Sequence, residues 1–115
     1  ESSAHINFKN RIIDATDSDT MLSLKELTAV RLLKNPFYNK IVDAQNRGDS
    51  VEQLRELLGK GRSKKGMFEG DMIEGELEIG QVSATINNIM PVKDIIDEIM
   101  NEFNIEKEKL LNLNF

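Results

Sequence analysis

No glycine precedes Gly48 in this 115-residue chain, and six of its seven glycines then fall between Gly59 and Gly80. Glycine is the residue that takes left-handed backbone and close backbone contacts without steric penalty. Its distribution therefore divides the chain into an ordered front, a flexible or tightly turned middle and an acidic helical end.

Two helices in the front carry their own start and stop signals. Asn35-Pro36 places a good capping side chain before a proline whose missing N–H costs nothing at the first helical position. That helix turns Phe37, Ile41 and Ala44 inward and stops at Gly48, a residue suited to the left-handed position past a helix end. Ser50-Val51-Glu52-Gln53 is a capping box, in which the Ser50 hydroxyl and the Gln53 amide each satisfy a free backbone N–H. Its buried stripe is Val51, Leu54, Leu57 and Leu58, and Gly59 ends it.

Ahead of these, Asn7 is expected to cap a short helix with Phe8, Ile12 and Ala15 inward, and Asp17-Ser18-Asp19 reads as a turn. Thr20 to Lys25 alternates, with Leu22 and Leu24 on one side and Met21 and Ser23 on the other. Thr28 to Lys34 alternates again, with Val30 and Leu32 opposite Arg31 and Leu33. Two short strands joined through Glu26-Leu27 fit this pattern, with a helix as the rival because leucine and methionine suit both. Behind the glycines, Ile79, Val82, Ile86 and Ile89 recur at helical spacing. Val92, Ile95, Ile96, Ile99, Met100 and Phe103 do so more strongly, after Pro91 and with acidic residues in the first turns. Glu106 to Phe115 is expected to be a fraying terminal turn. The fold class is thus α+β, mostly helical with a short two-stranded element.

Composition narrows the function. Fifteen Lys+Arg against 20 Asp+Glu leave a net charge of −5, the wrong sign for non-specific binding to nucleic acid. The absence of cysteine excludes a disulfide scaffold and a cysteine zinc site, and one histidine excludes a His-rich metal site. No apolar run approaches the roughly 20 residues that span a bilayer, so no membrane partner and a cytoplasmic location are expected. The chain opens Glu1-Ser2-Ser3-Ala4-His5 without methionine, and we read it as a trimmed start or the tail of something longer.

Four features could carry chemistry. Gly59-Lys60-Gly61-Arg62-Ser63-Lys64-Lys65-Gly66 combines glycines with four cations, as phosphate loops do, but its spacing is not that of a P-loop. A basic, mobile surface turn is the expectation there. His5 has no evident partner and is read as a capping or surface residue rather than a base. Met67 to Glu78 holds five carboxylates and two glycines without the spacing of an EF-hand, so a solvated acidic turn is expected. Gly80, Ser83 and Ala84, at i, i+3 and i+4, would leave one helix face nearly bare for another helix, a sheet or a planar cofactor. Gln81 beside them both donates and accepts hydrogen bonds, which suits the edge of a heterocycle.

These residues also carry a family resemblance. Lys65-Gly66-Met67-Phe68-Glu69-Gly70-Asp71, followed by Gly75-Glu76-Leu77-Glu78-Ile79-Gly80-Gln81-Val82, resembles the C-terminal part of FMN-dependent nitronate monooxygenases (2-nitropropane dioxygenases). It equally resembles the related flavin-type enoyl-acyl-carrier-protein reductases. Glu1-Ser2-Ser3-Ala4-His5, the Asp19-Thr20 turn and Val30-Arg31-Leu32-Leu33-Lys34-Asn35 fall in the same order, so the resemblance covers residues 1 to about 103. It implies a fragment of a TIM (β/α)8 barrel enzyme with a small inserted domain. Residues 1–76 would be barrel edge and covering domain, and 77–115 the helices returning to the barrel. FMN would lie at Gly80 and Gln81, with NAD(P)H as a further cofactor and a nitronate or an enoyl thioester as substrate.

In that family the phosphate loops and the catalytic histidine precede the point where this chain begins, and His5 does not fall on the catalytic position. The resemblance therefore implies an oxidoreductase parent, an upstream barrel portion as partner, a possible homodimer, and a 115-residue piece that is inactive alone. The nitronate monooxygenase type is slightly preferred. A small acidic α+β interaction module, docking a partner helix on the Gly80/Ser83/Ala84 face, is the alternative.

Overall fold

The computed structural model describes residues 1–113. Helix α1 (Ile6–Ile13) leads into strands β1 (Thr20–Ser23) and β2 (Val30–Leu33), then α2 (Pro36–Arg47) and α3 (Val51–Leu58). A π-helical turn (Lys64–Phe68) and a 3-10 turn (Gln81–Thr85) follow, and α4 (Val92–Leu111) ends the fold. The α+β, mostly helical class with one two-stranded element is what the chain forms.

The helices with local end signals form as their residues dictate. The Asn35 side-chain Oδ1 accepts from Tyr38 N, Pro36 opens α2, and Gly48 leaves it at φ 78°. Both arms of the Ser50/Gln53 capping box are made, and α3 ends at Gly59. Phe37, Ile41, Ala44 and Leu54 are buried, while Val51, Leu57 and Leu58 are half-buried.

The start of α1 differs from the expectation. His5, not Asn7, is the cap: its Nδ1 accepts from Asn7 N at 3.1 Å. Tertiary contacts select that position, because His5 N donates to Met67 O at 2.8 Å and Asn7 Nδ2 to Gly70 O at 3.1 Å. Phe8 is still buried and Ala15 is buried just past the helix end.

Strands β1 and β2 pair antiparallel with Thr20 opposite Leu33 and Ser23 opposite Val30. The one-face-in alternation fails, however. In β1, Thr20 and Ser23 are buried while Met21 and Leu22 are exposed. In β2, the consecutive residues Leu32 and Leu33 are both buried, because both faces of this strand are covered. Leu33 joins Phe8, Ala15 and Leu77 in one core, and Leu32 joins Leu24, Phe37 and Ile41 in a second. The free edge of β2 is covered in part by Leu77–Ile79, through Leu33 N to Leu77 O at 2.9 Å and Ile79 N to Arg31 O at 3.1 Å.

That edge contact also explains why Ile79, Val82, Ile86 and Ile89 do not form the expected helix. Ile79 is held extended beside β2, Ile86 is extended at ψ 118°, and only Gln81–Thr85 make a 3-10 turn between them. At the far end, Glu106 to Leu111 are helical rather than a fraying turn, since α4 runs unbroken to Leu111. Asn114 and Phe115 lie outside the described residues.

Helix α4 has 20 residues and none is buried, so it extends about 30 Å with its apolar side uncovered. Ile96, Ile99 and Phe103 are each more than half exposed. No helix among the described residues is long and apolar enough to cross a membrane. Substitutions Ile96→Glu and Phe103→Glu are expected to change the unfolding free energy by no more than ordinary surface changes do, about ±0.5 kcal/mol. They are also expected to reduce self-association and binding of a hydrophobic dye. Sedimentation and dye fluorescence check this, and a cooperative loss of the whole fold in either variant would show that α4 is covered after all.

Candidate functional site

The glycine-rich middle is a built connection rather than a loose basic turn. Gly59, Gly61 and Gly70 take positive φ, which turns the chain tightly enough for Gly66 and Gly75 to be buried against each other. Arg62 is half-buried over the Phe37 ring, 4.4 Å from its centroid. Its guanidinium donates to the carbonyls of Leu57, Leu58 and Glu74 and to the Glu74 carboxylate. Lys64 pairs with Glu69 and Lys65 with Asp71. The backbone amides of Lys65, Glu69 and Asp71 donate to carbonyls of the same segment. Arg62, Lys64 and Lys65 and these amides are engaged internally, which takes away most of the cradle that the phosphate-loop reading needs.

The acidic stretch is likewise structural. Asp71 Oδ1 accepts from Glu74 N and Ile73 N, and these bonds hold its carboxyl below the ordinary range, with Lys65 adding to the effect. Glu74 is lowered by Lys40, 2.5 Å away, and by Arg62. Glu76 behaves oppositely. It is 5% exposed, and burial pushes its carboxyl up despite a hydrogen bond from Ser63. Among the described residues, no group of three or more His, Asp or Glu side chains is arranged to hold a metal ion.

These shifts predict a stability profile. Asp71 and Glu74 bind protons less readily in the fold, so their contribution is complete above the unfolded-state value of about 4 and disappears as pH falls through their depressed values. Glu76 is raised, so its contribution is complete below its ordinary 4.5 and is lost as pH rises through the raised value. Asp71→Asn should flatten the acid side of the profile and Glu76→Gln the other. Melting temperatures across pH check both, and an acid limb unchanged in Asp71→Asn would refute the assignment.

Gly80 and Gln81 lie at the start of the 3-10 turn. Gly80 has φ −73° and ψ 157°, and no atom lies within 4 Å of where a Cβ would be. Gln81 is exposed. Ser83 is buried, with its hydroxyl donating to Gly80 O at 2.7 Å, and the turn lies against α1. The expected bare helical face is therefore absent: a 3-10 turn does not align i, i+3 and i+4 as an α-helix does, and Ser83 is already covered. This removes the docking face on which the interaction-module alternative relied. His5 is a cap beneath Gly70, whose absent side chain leaves room for the imidazole ring.

Sequence reasoning missed the long-range hydrogen bonds of Ser63 and Asn35. Ser63 Oγ lies 2.8 Å from Glu76 Oε2 and 2.8 Å from Glu78 Oε1. The carboxylates at i and i+2 around Leu77 were the available signal, since that period marks extended chain with both on one side. Asn35 Nδ2 donates to Met72 O at 3.0 Å and Gly75 O at 2.8 Å while its oxygen caps α2.

No family model and no curated protein matches the chain. Solved structures do. FabK from Thermotoga maritima is 33% identical, with a TM-score of 0.82 over 93% of this chain and 34% of that one. A mutant of FabK from the same organism gives 31% identity and a TM-score of 0.75 over 95% of this chain and 32% of its own. The chain thus spans about one third of the FabK chains that it matches. Across nearly all of its length it shares sequence and fold with a segment of FabK.

Proposed function

We propose that this chain is the C-terminal segment of a flavin-dependent oxidoreductase, with 1–76 as barrel edge and covering domain and 77–115 as the part that returns to the barrel. FabK is the flavin-type enoyl-acyl-carrier-protein reductase of the family resemblance, and its match carries the reading. It moves the preference from the nitronate monooxygenase to the enoyl-acyl-carrier-protein reductase type. The uncovered apolar faces support the same view, since Ile86, Ile89 and the whole apolar side of α4 are surfaces that the other two thirds of such an enzyme would bury.

Gly80 and Gln81 suit the flavin assigned to them. Open space at Gly80 lets a flat ring approach the backbone, and the exposed Gln81 amide can donate and accept at a heterocycle edge. The Ser83 hydroxyl holds the Gly80 carbonyl and so fixes the turn. When bound, FMN supplies the redox chemistry, with NAD(P)H as its reductant, while the protein orients it and excludes water. Alone, the 115 residues are inactive.

The test joins this chain to the upstream portion of a FabK-type barrel and records the visible spectrum of the purified protein. The 115-residue chain is expected to be colourless and the joined protein to carry stoichiometric flavin, reduced several-fold in Gln81→Ala at unchanged melting temperature. A folded joined protein that takes up no flavin would sink the proposal.

A further inference from the structure

A cleft of about 600 Å3 opens between the hairpin and the end of α3, and neither Gly80 nor Gln81 lines it. Its volume is in the range of small-molecule sites. Leu24, Leu27, Val30 and Leu58 give it apolar walls, and Ser63, Glu76 and Glu78 give it a polar floor. Leu24 has φ 53°, a conformation that leucine rarely adopts and that persists only where the surroundings impose it.

With both carboxylates ionised, the floor is one donor short. Ser63 Oγ is 2.8 Å from a carboxylate oxygen of Glu76 and 2.8 Å from one of Glu78, yet a hydroxyl has one proton to give. Glu76 is 5% exposed, so water compensates it poorly. Arg62 also lines the cleft, but its N–H groups are directed to Leu57, Leu58 and Glu74. A group with several N–H donors, one positive charge and an apolar body would match floor and walls together.

We propose that this cleft binds a primary alkylammonium, with its –NH3+ held among Ser63, Glu76 and Glu78 and its alkyl chain on Leu24, Leu27, Val30 and Leu58. The ammonium has three donors for the three oxygens, and charge-assisted bonds in a partly desolvated cleft are the stronger kind. Arg55 and Arg62, which both line the cleft, disfavour a second positive charge, so a monoamine is selected over a polyamine. Glu76, Glu78, Arg55 and Arg62 are the charged groups facing the ligand, and binding strengthens as pH rises through the raised range in which Glu76 loses its proton. The site stands independently of the flavin reading.

The test titrates the 115-residue chain, near neutral pH and at constant ionic strength, with n-hexylammonium, inorganic ammonium and hexanoate. Amide shifts of Leu27, Ser63 and Glu76 and the melting temperature are followed. Hexylammonium is expected to shift these amides and raise the melting temperature by mass action, with inorganic ammonium and hexanoate at least tenfold weaker. Glu78→Gln should weaken hexylammonium at least tenfold. Leu27→Ala removes the apolar wall at a half-buried position, so it should reduce the gain from ethyl- to hexylammonium, and it carries the test should Glu78→Gln fail to fold. An equal response to inorganic ammonium or hexanoate, no response at these amides, or unchanged affinity in the folded variants would overturn the proposal.

Discussion

Gly75→Ala is expected to lower the melting temperature by more than about 12 °C, on the scale of about 4–8 °C per kcal/mol for a domain near this size. A methyl group at Gly75 would coincide with the Gly66 backbone and with Asp71 O. The neighbours are main-chain atoms, so no side-chain rotation relieves the clash. Gly66 is itself pinned, because a Cβ there would meet Glu76 O and Leu77 Cδ2 at 2.7 Å. Overpacking typically costs about 1–3 kcal/mol, and rigid backbone on both sides puts this case at the top of that range, or beyond it. Domains of this kind have about 5–15 kcal/mol in all. Gly80→Ala is the control: its Cβ meets nothing and φ is −73°, so the melting temperature should stay level or rise slightly. If Gly75→Ala melts within about 2 °C of the parent, Gly75 is not packed against the Gly66 backbone.

Asn35→Ala should cost about 3 kcal/mol. Loss of the α2 cap accounts for about 1 kcal/mol, and the two carbonyls deprived of a donor, on Met72 and Gly75, account for about 1 each. Asn35→Asp separates the roles. The carboxylate can still cap Tyr38 N, but it faces two carbonyl oxygens with no proton to donate, so it should be no more stable than the alanine variant. Asn35→Ser should regain only the cap. Urea midpoints at unchanged m-value measure these differences. An Asn35→Asp variant as stable as the parent would show that Asn35 is a helix cap and nothing more.

Asn35 marks the boundary of what was legible. Its cap was readable because capping joins residues three apart, whereas its bonds to Met72 and Gly75 reach 37 and 40 residues along the chain. The same division runs through the candidate sites. The glycine-rich segment could be recognised as unusual, but whether Arg62 and Lys65 awaited a phosphate or served internal pairs depended on Glu74 and Asp71. Gly80 and Gln81 were singled out by their chemistry, while the turn that presents them depends on the Ser83 hydroxyl and on α1.

By itself the sequence determined the helices whose ends are closed locally, α2 and α3, together with the apolar stripe of α4. Each rests on interactions spanning a few residues, and those are present in any context. Only the tertiary structure decided that His5 rather than Asn7 caps α1, that β2 is buried on both faces, and that Ile79 lies extended along its edge. The reason is common to all three. A periodic pattern states which residues avoid water but not what covers them, and for Leu32, Leu33 and Ile79 the covering groups come from distant parts of the chain. In α4 the pattern is equally clear and the covering group is not among the described residues, so the helix forms and its apolar face stays exposed.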